Sequence, residues 1–164
     1  MMAQQIIGIG SSANDGTGDP LRTAFDKIND NFTELYAAIA ALEAMPDVST
    51  GAYAPTVSNT SNLDSNPTIS GGRYIRIGND VWVAFTFNAD ATASGDTMFQ
   101  LSLPVASNLA ATSDLSGNAV AYISGAISGG AIIGDTANDT AQVRINAGST
   151  SARDYTAFFR YVVQ

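Results

Sequence analysis

The sequence contains no cysteine and no histidine. The first absence excludes disulfides, thiolate nucleophiles, cysteine-ligated zinc and iron–sulfur clusters. The second excludes a Ser-His-Asp triad, imidazole acid–base catalysis and the commonest transition-metal ligand. Only carboxylate, lysine, tyrosine, hydroxyl or hard-cation chemistry survives. Charge is also scarce, at 13% of residues where ordinary globular chains carry about 25%. Cations are scarcest: Lys27 and six arginines, thinly spread, stand against 15 carboxylates, for a net charge of −8. With no basic cluster, neither nucleic acid nor an anionic membrane surface is expected as a partner. No apolar run reaches 18 residues, so no membrane insertion is expected. The opening MMAQQIIGIG lacks a basic region and a long apolar stretch, which predicts a mature start and not a signal peptide.

What is present divides the 164 residues into three. Residues 1–19 are a short apolar piece with Ile6, Ile7 and Ile9, followed by a Ser/Asn/Asp/Gly loop. Residues 20–45 contain no glycine and predict a helix. Asp19 is placed to cap it, Pro20 to open it where a missing N–H costs nothing, and Pro46 to end it. Inside, Leu21, Phe25, Ile28, Phe32, Leu35, Ile39 and Leu42 are spaced 4, 3, 4, 3, 4, 3. Phe25, Phe32 and Ile39 share one seam position and the other four share the second, the pattern of a coiled coil over three heptads. A helix packed on its own domain usually shows a wider apolar face. Two phenylalanines at one seam position are bulky for two strands, so a parallel homotrimer through residues 21–42 is expected.

Residues 46–164 hold most of the Gly, Ser, Thr and Asn and read as all-β. Strands are expected near 52–58, at 73–77 and 81–87 around a Gly78–Asp80 turn, and at 98–103, 119–127, 141–146 and 154–163. Seven or eight such runs predict an antiparallel β-sandwich, jelly-roll-like, as a head after the helix. Val81, Val83, Phe85 and Phe87 alternate onto one face. The 154–163 run is apolar or aromatic on both faces, which fits a core on one side and a covered surface on the other.

No motif points to catalysis, a cofactor or a firm metal site. Gly8-Ile9-Gly10 followed by Ser11-Ser12-Ala13 imitates a dinucleotide fingerprint, but the helix begins only after Pro20, too late to meet a pyrophosphate. Asp15 and Asp19, or Asp135 and Asp139, sit in oxygen-rich loops that lack the full spacing of a calcium hand; a polar turn explains them equally. The 13 aspartates and two glutamates include no pair in a recognisable cleft, so glycoside hydrolysis is not expected. Trp82, Tyr74 and Tyr122 are the candidate ligand-binding aromatics, expected to face away from the core. They would stack on sugar rings or fill a contact with a neighbouring subunit. Ser58–Asn66, Ser107–Asn118 and Gly134–Thr140 are read as adaptable polar connections.

Residues 14–36, NDGTGDPLRTAFDKINDNFTELY, resemble the N-terminal module of fibre, neck and baseplate proteins of tailed bacteriophages. This resemblance covers roughly residues 5–40. GAYAPTV at 51–57, RYIRIGN at 73–79 with Val81 and Val83, and LSLPV at 101–105 are similar to phage fibre heads. The resemblance implies a non-enzymatic virion structural protein with a trimeric jelly-roll head and no long shaft. It further implies docking on other virion proteins through Ile6, Ile7 and Ile9, and a head that attaches to a host-surface glycan. Capsid decoration, or a neck or baseplate role, is the alternative within the same class; a virion-associated glycan hydrolase is the alternative of another class.

Overall fold

The computed structural model describes residues 4–123 and 126–164, without the side chains of residues 122, 123, 126 and 127. The chain divides into two compact units, Met1–Pro46 and Asp47–Gln164.

The first unit is built on α1, Leu21–Glu43. Its start differs from the capping expected of Asp19. Pro20 occupies the cap position with φ −55° and ψ 146°, and its carbonyl accepts the Ala24 N–H at 2.9 Å. Asp19 lies one residue too early. Its carboxylate instead accepts the Gly8 N–H at 2.7 Å and the Lys27 ammonium at 2.6 Å. The segment before the helix is fastened to the helix side. Gln5 N–H donates to Asn31 Oδ1 and Asn31 Nδ2 donates to Gln5 O, both at 2.9 Å, and Lys27 Nζ donates to Ile6 O at 3.0 Å. Lys27 and Asn31 lie one turn apart on a flank that holds no seam residue.

The second unit is a single antiparallel sheet. Its strands are β1 Val48–Ala52, β2 Val57–Ser61, β3 Thr68–Ile77, β4 Asp80–Ala89, β5 Gly95–Ser102, β6 Leu115–Ile123, β7 Ala126–Asp135, β8 Thr140–Ala147 and β9 Arg153–Val162. They are ordered β1-β3-β4-β9-β6-β7-β8-β5-β2. The protein is thus mainly β with one helix. The strand expected near 52–58 is two strands, and the run 119–127 divides between β6 and β7. Most of β7 carries no strand signature in the sequence because it is rich in glycine. At Gly130 a Cβ would stand 2.2 Å from the Arg144 carbonyl oxygen of β8, so the close approach of the two backbones excludes a side chain.

The ladder is continuous where a sandwich would split it, because β9 pairs with β4 on one side and β6 on the other. The sheet curls instead. Phe87 of β4 and Phe99 of β5 are separated in the ladder by four strands, yet their rings meet edge to face at 5.1 Å. Phe87 also stacks on Tyr155 of β9 at 4.8 Å. Curling lets one face enclose its own core, with Val81, Val83, Phe85, Phe99, Leu101, Val143, Phe159 and Tyr161 all buried. Burying each such side chain contributes about 1.5–3 kcal/mol.

Candidate functional site

Three surfaces carry the residues singled out by the sequence. The first is the seam of α1. None of the helix is buried within the single chain; Leu21, Phe25, Phe32, Leu35, Ile39 and Leu42 are exposed and Ile28 is half-buried. Among the described residues, six of these seven large apolar side chains are thus exposed along one stripe. Tyr36 adds to the stripe beside Phe32, ring centroids 6.4 Å apart.

The second is the N-terminal segment. Ile6 and Ile9 are almost wholly exposed and Ile7 is half-buried. The following loop is organised by Asp15. Its carboxylate accepts the N–H groups of Thr17, Ser12 and Ser11 at 2.9, 2.8 and 2.6 Å, and the Ser11 hydroxyl at 2.8 Å. These bonds, the Thr17 N–H foremost, hold its carboxyl far below the usual range. Asp19 is lowered as well, chiefly by Lys27 and then by the Gly8 N–H. The Asp15 carboxylate and Asp19 Oδ2 are thus engaged by backbone N–H groups, the Ser11 hydroxyl and Lys27. In the other acidic loop, Asp135 accepts the Ala137 and Asn138 N–H groups, and Asp139 accepts the Leu109 N–H at 2.8 Å. Among the described residues, no three carboxylates gather in a way that would hold a metal.

The third is the outer face of the sheet. Trp82 stands there, half exposed, with the Arg160 guanidinium carbon 5.3 Å from its ring centroid. Arg160 bonds Asp80 at 2.6 Å. Tyr74 does not share this face. It lies opposite Val83, turned toward the core, while Ile75 and Ile77, expected inside, are turned out. The cause is a bulge: the register of β3 on β4 shifts by one residue between Ser70 and Arg73, where Gly71 adopts φ +61°. One extra residue reverses every later side chain. The glycine pair Gly71-Gly72 inside a strand is the sequence signal of the bulge. Tyr74, Trp82, Ala84 and Phe158 contribute to the lining of a cavity of about 910 Å³ beside the bulge. The side chain of Tyr122, in β6, lies outside the described residues.

The polar connections fall at both ends of the sheet. Residues 103–114 and 136–139 lie at the end where β1 begins, since Ser102 pairs with Thr140 there. Residues 62–67 and 90–94 lie at the opposite end. Asn62 joins them, accepting the Ala93 N–H at 2.8 Å and the Thr92 hydroxyl at 2.7 Å.

Residues 4–152 match the family described as Bacteriophage T4 gp9/10-like protein, N-terminal. This chain belongs to that family. Its membership in the T4 gp9/10-like family makes it a structural protein of the phage particle, of the fibre and appendage type, and the virion is where it resides. No curated protein matches the chain. Among solved structures, avian reovirus sigmaC117-326 in its C2 crystal form is similar over 88% of this chain and 93% of that chain. The TM-score is 0.52 and the identity 9%, so the likeness speaks for the fold.

Proposed function

We propose that the protein is a short homotrimeric fibre, held by a coiled coil through residues 21–42. It is anchored on the particle by residues 1–19 and carries a β head that attaches to a host-surface glycan. Its role is non-enzymatic. The observation that carries this reading is the uncovered heptad stripe of α1. Three heptads are marginal as an isolated helix, and packing of the apolar seam against further copies supplies the missing stability. The exposed Ile6 and Ile9 suit burial against a virion protein.

For attachment, the polar connections at the end of the head opposite the start of β1 are the favoured contact. The Asn62-braced pair offers hydroxyl, amide and carboxylate groups on a fixed frame. Each head would bind weakly, and three heads on one fibre would make the attachment firm.

Deleting residues 2–13 tests the anchor. It should leave a folded, associated protein that no longer enters particles. Purified protein should bind host cells and compete with phage adsorption. Absence of binding to any host surface, together with particles that lose capsid stability without this protein, would establish a decorating role instead.

A further inference from the structure

The outer face of the sheet changes character along its strands. At the end where β1 begins, one cross-strand row reads Val48, Ile77, Asp80, Val162, and the next reads Thr50, Ile75, Trp82, Arg160. Phe158 and Ala84 stand in the third row. Ile75, Ile77, Trp82, Phe158 and Val162 keep 37–50% of their surface in solvent. Toward the other end the face turns polar. Ser70 and Thr86 share a hydrogen bond of 2.8 Å, and Asn88 donates to Asp154 at 2.7 Å. An apolar patch spread across neighbouring strands, with a polar border on one side, marks an interaction surface.

We infer that the apolar half of this face is a self-association surface, covered in the assembly by further copies of this chain. The inference rests on the proposed association of α1. Two observations select a second copy as the occupant. The first is position in the chain. Only residues 44–47 separate the end of α1 from Val48, and Val48 begins the apolar half. Copies joined by the helix therefore carry their apolar faces on linkers of four residues, which raises the local concentration of one face around another. The polar half lies at the end of the sheet remote from this linker. The second is charge. The chain carries −8, so copies repel wherever their acidic surfaces meet. In these three rows Asp80 is the only carboxylate and is already paired with Arg160, while Arg73 adds a second cation. The face is the part of an acidic protein that another acidic copy can approach. The cavity beside Gly71 and Ala84 leaves room for a bulky side chain from that copy.

Trp82 is the only tryptophan, so fluorescence reads this face directly. On the full chain, sedimentation should show an oligomer, and Trp82 should emit at short wavelength with most acrylamide quenching lost. Phe158→Glu and Ile75→Glu, at half-exposed positions a single chain tolerates, should leave the circular dichroism and the copy number unchanged. Both should restore quenching of Trp82 and lower the melting temperature of the assembly. An oligomer whose Trp82 is quenched as freely as a small indole compound overturns the inference and leaves the helix reading standing. A monomeric native protein overturns both. If Ile28→Asp/Leu35→Asp leaves an oligomer with Trp82 protected, the face is supported and the helix reading falls. Protection of Trp82 that arises only on adding host polysaccharide overturns the inference and makes the face a ligand platform.

Discussion

Tyr74 of β3 stands opposite Val83 of β4 on the inner side of the sheet. This pairing depends on a single residue, Gly71. From Ile69, which packs on the core, unbroken alternation would send Ile75 and Ile77 inward and Tyr74 outward. The bulge at Gly71 reverses that order. It thereby places two isoleucines beside Trp82 on the surface and brings an aromatic ring into the core.

The bulge is open to test. Gly71→Val should cost roughly 1–2 kcal/mol, because a branched side chain is strained at a left-handed φ. Deleting Gly71 should do far more damage, since the shortened strand must choose between losing its register on β4 and burying the wrong face. Denaturant unfolding of both variants checks this, with the deletion expected to be the less stable. A deletion as stable as the parent would show that β3 is not held in this register.

Replacing Ile28 and Leu35 by Asp places carboxylates in the stripe of α1. The expected outcome is dissociation of the native assembly, read by sedimentation, with the β unit still folded by circular dichroism. The single chain loses almost nothing, because neither side chain is fully buried in it.

Acid should loosen the N-terminal loop. Asp15 and Asp19 have folded values below their ordinary 3.8. A depressed carboxyl contributes stability that is fully present above its unfolded value and is lost as pH falls through the folded one. The bonds to Ser11, Ser12, Thr17 and Gly8 should therefore be intact at pH 5 and weaken progressively below about pH 4. Amide hydrogen exchange at these four residues reads the change. Asp15→Ala should show the loosened pattern of the 11–17 loop already at neutral pH.

At the alkaline side the head should lose stability through its buried phenols. Burial pushes Tyr161 up from 10.0 to about 12, while the Val105 N–H donated to its oxygen, 3.0 Å, opposes the rise. Tyr53 is raised further, again by burial. A raised value means that the folded state keeps a proton the unfolded state has lost. The contribution is complete below pH 10 and disappears as pH climbs through 12. Ultraviolet titration should show these two tyrosines ionising late, together with unfolding. Tyr161→Phe should remove part of the pH dependence; it also strands the Val105 N–H and carbonyl, so its stability at pH 7 should fall by about 1–3 kcal/mol.

The heptad spacing of Leu21 to Leu42, the alternation of Val81 to Phe87 and the proline stops of the helix were all legible in the sequence, because each is a local periodicity. So was the mainly β character of the second unit, from its turn residues and branched side chains. Strand order was not legible. Period alone does not say that the C-terminal strand β9 enters between β4 and β6, or that a nine-strand ladder curls until Phe87 touches Phe99. Nor did it say where Asp19 would spend its charge; that was decided by Lys27 and Gly8 approaching from elsewhere in the unit. The outer face shows the division most plainly. Strand alternation alone sets Trp82 opposite Val81 and Val83, since adjacent residues of a strand point to opposite sides. That Ile75, Ile77 and Phe158 join it there is a matter of strand pairing. That outcome required one extra residue at Gly71 and the pairing of β4 with β3 and β9, and both are set by contacts between strands.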